Sequence, residues 1–159
     1  MYRTGQHWLV WLTLLLAAIL SIIPLPPWLS LARPAWMAMV VMFWLLELPQ
    51  NYGVFFAWSM GLLMDVMLGV VLGQNASAML ILAVATHNSY RRLRLHPLWQ
   101  QTVMVLIIVG LYQMTCLWIN SAIGHIRPSL IYALPAVTSA LLWPWLSLLL
   151  HGSATSGRD

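Results

Sequence analysis

Apolar residues in this chain come in six runs, each closed by a short break of proline, glycine or polar residues. The runs cover about residues 8–23, 35–48, 54–73, 76–90, 98–121 and 129–150. Crossing a bilayer as a helix takes roughly 20 consecutive apolar residues, and several of the runs approach that length. The run at 35–48 is the shortest. It predicts a short or re-entrant helix buried against its neighbours, or a span that continues past Glu47. The run at 76–90 is short as well, and arginine stems that follow it can lengthen it by snorkelling. Pro135 and Pro144 fall inside the last run and predict kinks where carbonyls four residues back lose their donors. The predicted fold is all-α, an integral membrane protein of about six transmembrane helices in one compact bundle. It forms one domain over residues 1–152, with a flexible polar tail at 153–159.

Composition sharpens this picture. The chain has 159 residues, of which 62% are hydrophobic and only 6% charged, whereas a soluble domain carries about 25% charged residues. That leaves no room for a soluble catalytic domain, so any chemistry happens in or at the bilayer. All seven basic residues are arginine, and three of them, Arg91, Arg92 and Arg94, share one segment. Such a cluster between apolar runs reads as a topology anchor or an anionic-lipid contact and not as a nucleic-acid surface. Six spans put both termini on one side. Placing that side in the cytoplasm leaves Arg3, Arg91, Arg92, Arg94 and Arg158 inside against Arg33 and Arg127 outside, which predicts N-in and C-in. No small-residue cleavage site follows the first run, which therefore reads as an uncleaved span.

The third run carries the one acid deep in an apolar stretch. Steps of four through it give Gly53, Ala57, Gly61, Asp65, Gly69 and Gly73, so one helix face is nearly bare backbone with a carboxyl group in its middle. Small residues at this spacing let a second helix approach closely in lipid. Gly61, Gly69 and Gly73 thus read as packing residues, and Asp65 as a group that faces protein. Its role stays open between a protonated structural hydrogen-bonder and a directly functional carboxylate. Asp65 and Gln113 lie 12 and 15 residues into helices that start on the same side, so Gln113 is the hydrogen-bond partner expected for Asp65.

Other chemistry is not visible. The five histidines sit near the ends of runs with no metal-ligand spacing, and the single cysteine, Cys116, reads as a small packing residue. Ser59-Met60-Gly61 is a faint echo of a nucleophile motif with no histidine at matching depth, and no phosphate-cradling loop is present. No catalytic residue, cofactor or metal is expected.

The segment from Gly61 through Asp65 and Gly69 to Gly73, closed by a polar turn, resembles the signature of the MreD family of bacterial rod shape-determining membrane proteins. Arg33-Pro34, Leu48-Pro49, Trp99-Gln100-Gln101, Arg127-Pro128 and Leu142-Trp143-Pro144-Trp145 agree with it in order, so the likeness covers nearly the whole chain. The resemblance implies a non-enzymatic component of the cell-elongation machinery in the bacterial inner membrane. Its implied partners are an MreC-like single-span protein and, through it, an MreB-like cytoskeleton, a RodA-like glycosyltransferase and a class B penicillin-binding protein. It also implies a fold similar to small substrate-binding subunits of vitamin transporters. A transport protein using Asp65 is the alternative. Membrane lipids are expected partners, nucleic acid is not, and a homo-oligomer is left open.

Overall fold

The computed structural model describes residues 4–124 and 129–156, with side chains described from residue 7 to residue 153 outside the gap. Arg3, His125, Arg127, Pro128 and Arg158 lie outside the described residues. The described chain is all-helical: α1 (Thr4–Ile22), α2 (Pro27–Ser30), α3 (Trp36–Glu47), α4 (Val54–Leu68), α5 (Gln74–Leu95), α6 (Leu98–Ala122), a 3-10 turn (Leu130–Ala133) and α7 (Leu134–Ser156).

Among the described residues two stretches are long and apolar enough to cross a membrane, Leu98–Ala122 and Leu130–Ser153, with shorter apolar helices at His7–Ile22, Trp36–Glu47 and Val54–Leu68. The short run at 35–48 becomes the centre of the molecule. All ten residues from 37 to 46 in α3 are buried, against α1, α5 and α7. A helix that is apolar all round needs such surroundings. Its ends are tied by polar contacts: the backbone N–H of Ala35 donates to Ser139 Oγ at 2.9 Å, and Glu47 Oε1 meets His151 Nδ1 at 3.3 Å. Within it, Trp44 Nε1 donates to Thr13 Oγ1 on α1 at 2.8 Å.

The remaining helices follow one another round this centre, α4 against α5, α5 against α6 and α6 against α7. Several boundaries differ from the apolar runs. The third run ends as a helix at Leu68 and not near residue 73, because Gly69 adopts a left-handed φ of 63°. The fourth extends past Tyr90 to Leu95, so the three arginines belong to the helix. Helix α7 continues through Ser156, into what the polar composition suggested was a flexible tail. Pro135 sits in the first turn of α7 and kinks nothing, since a first-turn N–H has no acceptor to lose. Pro144 alone lies in the helix interior.

Candidate functional site

Asp65 is fully buried. It lies three residues from the end of α4, one turn from the C-terminus and not mid-helix as the run length implied. The chain then turns through residues 69–73 and begins α5 at Gln74, with Gly73 as the capping residue. Every helix start exposes backbone N–H groups with no partner inside the helix. The usual remedy is a Ser, Thr, Asp or Asn side chain at the cap position. Here that position has φ 100°, a conformation that favours glycine, so the cap residue has no side chain to offer.

Asp65 supplies what Gly73 cannot. Its Oδ2 accepts from the backbone N–H of Gly73 at 2.9 Å and of Ala76 at 3.3 Å. Its Oδ1 accepts from the backbone N–H of Asn75 at 2.8 Å and from Asn75 Nδ2 at 3.0 Å. The carboxylate of one helix thus caps the next, eight residues on. All four partners are N–H donors, so both oxygens act as acceptors.

The network reaches a third helix. Asn75 Oδ1 accepts from Tyr112 Oη at 2.6 Å and from Cys116 Sγ at 3.8 Å, one turn further along α6. Ten helical residues follow Tyr112 before α6 ends, so the start of α5 packs beside the body of α6 and not at its tip. Non-helical backbone within a membrane is tolerated when its polar groups are satisfied by protein, and the carboxylate does that for the Gly73 N–H.

Gly61 makes the geometry possible. A Cβ added there would lie 2.6 Å from both the Cα of Ala76 and the carbonyl oxygen of Asn75, so α4 and α5 touch backbone to backbone one turn before Asp65. The two glycines that follow Asp65 in the stripe sit differently. A Cβ at Gly69 or Gly73 would meet nothing within 4 Å; their positive φ values of 63° and 100° mark them as turn-formers. One ends α4, the other begins α5.

Gln113 does not reach Asp65: it is the residue after Tyr112, which itself joins the network only through Asn75. It is half-buried and lines a recess of about 470 Å³ between α6 and the 3-10 turn, with Ile107, Gly110, Leu111, Met114 and Leu130. The residues that sequence reasoning missed are Asn75 and Tyr112. Two signals pointed to them: a polar Gln74-Asn75 pair directly after a glycine that cannot cap, and a tyrosine amid aliphatic residues with Cys116 four positions on. Arg91, Arg92 and Arg94 lie exposed on the last turns of α5, at the opposite end of that helix from Asp65. Ser59 only donates back to Phe55 O of its own helix at 2.9 Å. Among the described residues no group of three His, Cys, Asp or Glu side chains is placed to hold a metal.

Apolar helices built round a fully buried core helix, joined by a hairpin whose turn is capped from within, define a small helical membrane protein. The family model described as rod shape-determining protein MreD matches residues 2–152. The rod shape-determining protein MreD of Haemophilus influenzae is 28% identical over 147 residues, covering 90% of this chain and 91% of that protein. No solved structure gives a significant match. The chain belongs to the MreD family of rod shape-determining proteins.

Proposed function

We propose that the chain is a non-enzymatic membrane subunit of the bacterial cell-elongation machinery. In this reading α1 and α3–α7 form a six-helix bundle in the inner membrane with both termini in the cytoplasm. The bundle binds an MreC-like single-span partner, and through it works with an MreB-like cytoskeleton, a RodA-like glycosyltransferase and a class B penicillin-binding protein to support lateral peptidoglycan synthesis. The observation that carries the reading is the family match along residues 2–152.

The geometry supports a scaffold over a transporter that uses Asp65. A proton or substrate site needs a carboxylate with capacity to spare, and intramembrane relays use chains of ionisable groups. Asp65 already accepts four hydrogen bonds within its own hairpin. Its part in function is then to hold the α4–α5 hairpin in the shape a partner helix meets.

Purification of the tagged protein from its native membrane in gentle detergent tests this, with mass spectrometry of what accompanies it. Wild type is expected to bring down a single-span protein with a periplasmic domain and cell-wall synthases, and Asp65→Asn to bring down less of both. Recovery of an ATPase pair in their place would sink the scaffold reading in favour of transport.

A further inference from the structure

The corner where α5 passes into α6 concentrates positive charge that no carboxylate among the described residues compensates. Arg91, Arg92 and Arg94 are all exposed there, while Leu93 between them faces the core. Basic residues at a helix end often serve its unpaired carbonyls. Here a neutral side chain has that task. Gln101 Nε2 donates to Leu93 O at 2.6 Å and to His96 O at 3.3 Å, and Gln101 Oε1 accepts from Trp143 Nε1 at 3.4 Å. Arg94 lies over the Tyr90 ring, 5.4 Å from its centre, and donates to the Tyr90 hydroxyl at 2.6 Å, which fixes the side chain without neutralising it.

No carboxylate answers these arginines among the described residues. The chain has three acids: Glu47 pairs with His151, Asp65 is occupied by N–H donors at the other end of α5, and Asp159 lies outside the described residues. The same corner exposes large apolar side chains, Leu95 at 80% and Trp99 at 66%. Three guanidinium groups beside an exposed leucine and an exposed indole make a surface with two requirements, an anion and an apolar medium at one level.

We propose that the α5–α6 corner binds an anionic phospholipid, with the phosphate held by Arg91, Arg92 and Arg94 and the upper acyl region covering Leu95 and Trp99. Guanidinium groups match phosphate oxygens in a bidentate fork, and tryptophan settles at headgroup level. An acidic protein segment would satisfy the arginines alone and leave Leu95 and Trp99 uncovered. The site is independent of the clasp at Asp65 and of any partner protein.

The test uses the full-length protein in nanodiscs of phosphatidylcholine containing a graded fraction of phosphatidylglycerol, followed by native mass spectrometry of retained lipid. Wild type is expected to retain phosphatidylglycerol over phosphatidylcholine by about tenfold or more. The triple variant Arg91→Gln, Arg92→Gln, Arg94→Gln is expected to bring that ratio close to one, and the triple lysine variant to keep a reduced preference. Trp99→Ser should weaken retention with the arginines intact. A triple glutamine variant that keeps the wild-type ratio overturns the proposal. So does displacement of retained lipid by an acidic peptide such as polyglutamate at concentrations where soluble glycerophosphate has no effect. Should the glutamine variant fail to fold, the wild-type and lysine proteins decide: equal retention of the two lipids by both overturns the site.

Discussion

The two sides of α6 hold polar groups under opposite conditions. Tyr112 points into a closed network in which every partner is protein: its hydroxyl donates to Asn75, whose amide donates to Asp65, whose oxygens cap α5. Gln113, the next residue, lines an open and largely apolar recess against the 3-10 turn. About 100° of helix rotation separates the two positions. Polarity in an apolar helix therefore does not mark a site; what decides is whether the neighbouring helix brings an unsatisfied group to that face. Helix α5 brings a start that its own cap residue cannot serve to one side of α6, and among the described residues nothing comparable reaches the other.

The largest effect should come from removing the acid. In Asp65→Ala the N–H groups of Gly73, Asn75 and Ala76 lose their acceptor inside the bundle. Leaving buried donors unpaired costs about 1–3 kcal/mol per group, so we expect destabilisation of about 3–5 kcal/mol, the scale of breaking a buried charged network. Thermal unfolding in nanodiscs reads it, and a loss under 1 kcal/mol would mean that water or a partner replaces the carboxylate. Asp65→Asn keeps one acceptor oxygen and turns an amide towards N–H donors, so it should fall between the alanine variant and wild type.

Gly61→Ala comes next. The added methyl would stand 2.6 Å from backbone that cannot swing aside as a side chain can, so α5 must shift off α4 and lengthen the bonds to Asp65. Overpacking of this kind costs about 1–3 kcal/mol. Ala at Gly53, where a Cβ meets nothing, should be nearly silent in the same assay. Equal effects at the two positions would remove the close approach from the account.

These two residues also show what could be read from the chain alone. Steps of four from Gly61 to Asp65 put both on one face, and the face does meet another helix. Steps of four beyond Asp65 assumed that the helix continued, and a positive φ at Gly69 stops it. Apolar composition cannot report that stop, since Val70, Val71 and Leu72 are as hydrophobic as the helix before them. For α3 the run length left two readings, a short helix buried against its neighbours or a span continuing past Glu47; the helix ends at Glu47 and is buried, a choice composition cannot make because lipid and protein interior ask for the same side chains. Depth along α6 was legible from counting residues at about 1.5 Å each, but rotation about its axis was not, since one residue changes the face.

Asn75→Ala and Tyr112→Phe separate the layers of the network. Asn75→Ala removes one donor to Asp65 and the acceptor of Tyr112 while leaving the backbone cap in place, so about 1–2 kcal/mol is expected. Tyr112→Phe removes only the outermost bond. Side-chain hydrogen bonds between membrane helices average about 0.6 kcal/mol and reach about 1.7 kcal/mol. The short 2.6 Å contact to a buried amide places this one in the upper half. A loss from Tyr112→Phe equal to that from Asn75→Ala would mean that α6, and not Asp65, orients the amide.

Gln113→Ala should do least, and its combination with Asp65→Asn isolates what one residue of rotation changes. Gln113 faces the recess and not the clasp, so its removal should stay within about 0.5 kcal/mol of wild type. Sites without shared partners add to within about 0.3–0.5 kcal/mol, and the Asp65→Asn, Gln113→Ala cycle should close on that margin. The parallel cycle of Asp65→Asn with Tyr112→Phe runs through Asn75 and should show coupling above it, since loosening the carboxylate frees the amide that Tyr112 holds. Coupling in both cycles would mean that α6 responds as a rigid body to the α5 start. Coupling in the Gln113 cycle alone would turn the helix the other way, placing Gln113 against the carboxylate and Tyr112 in the recess.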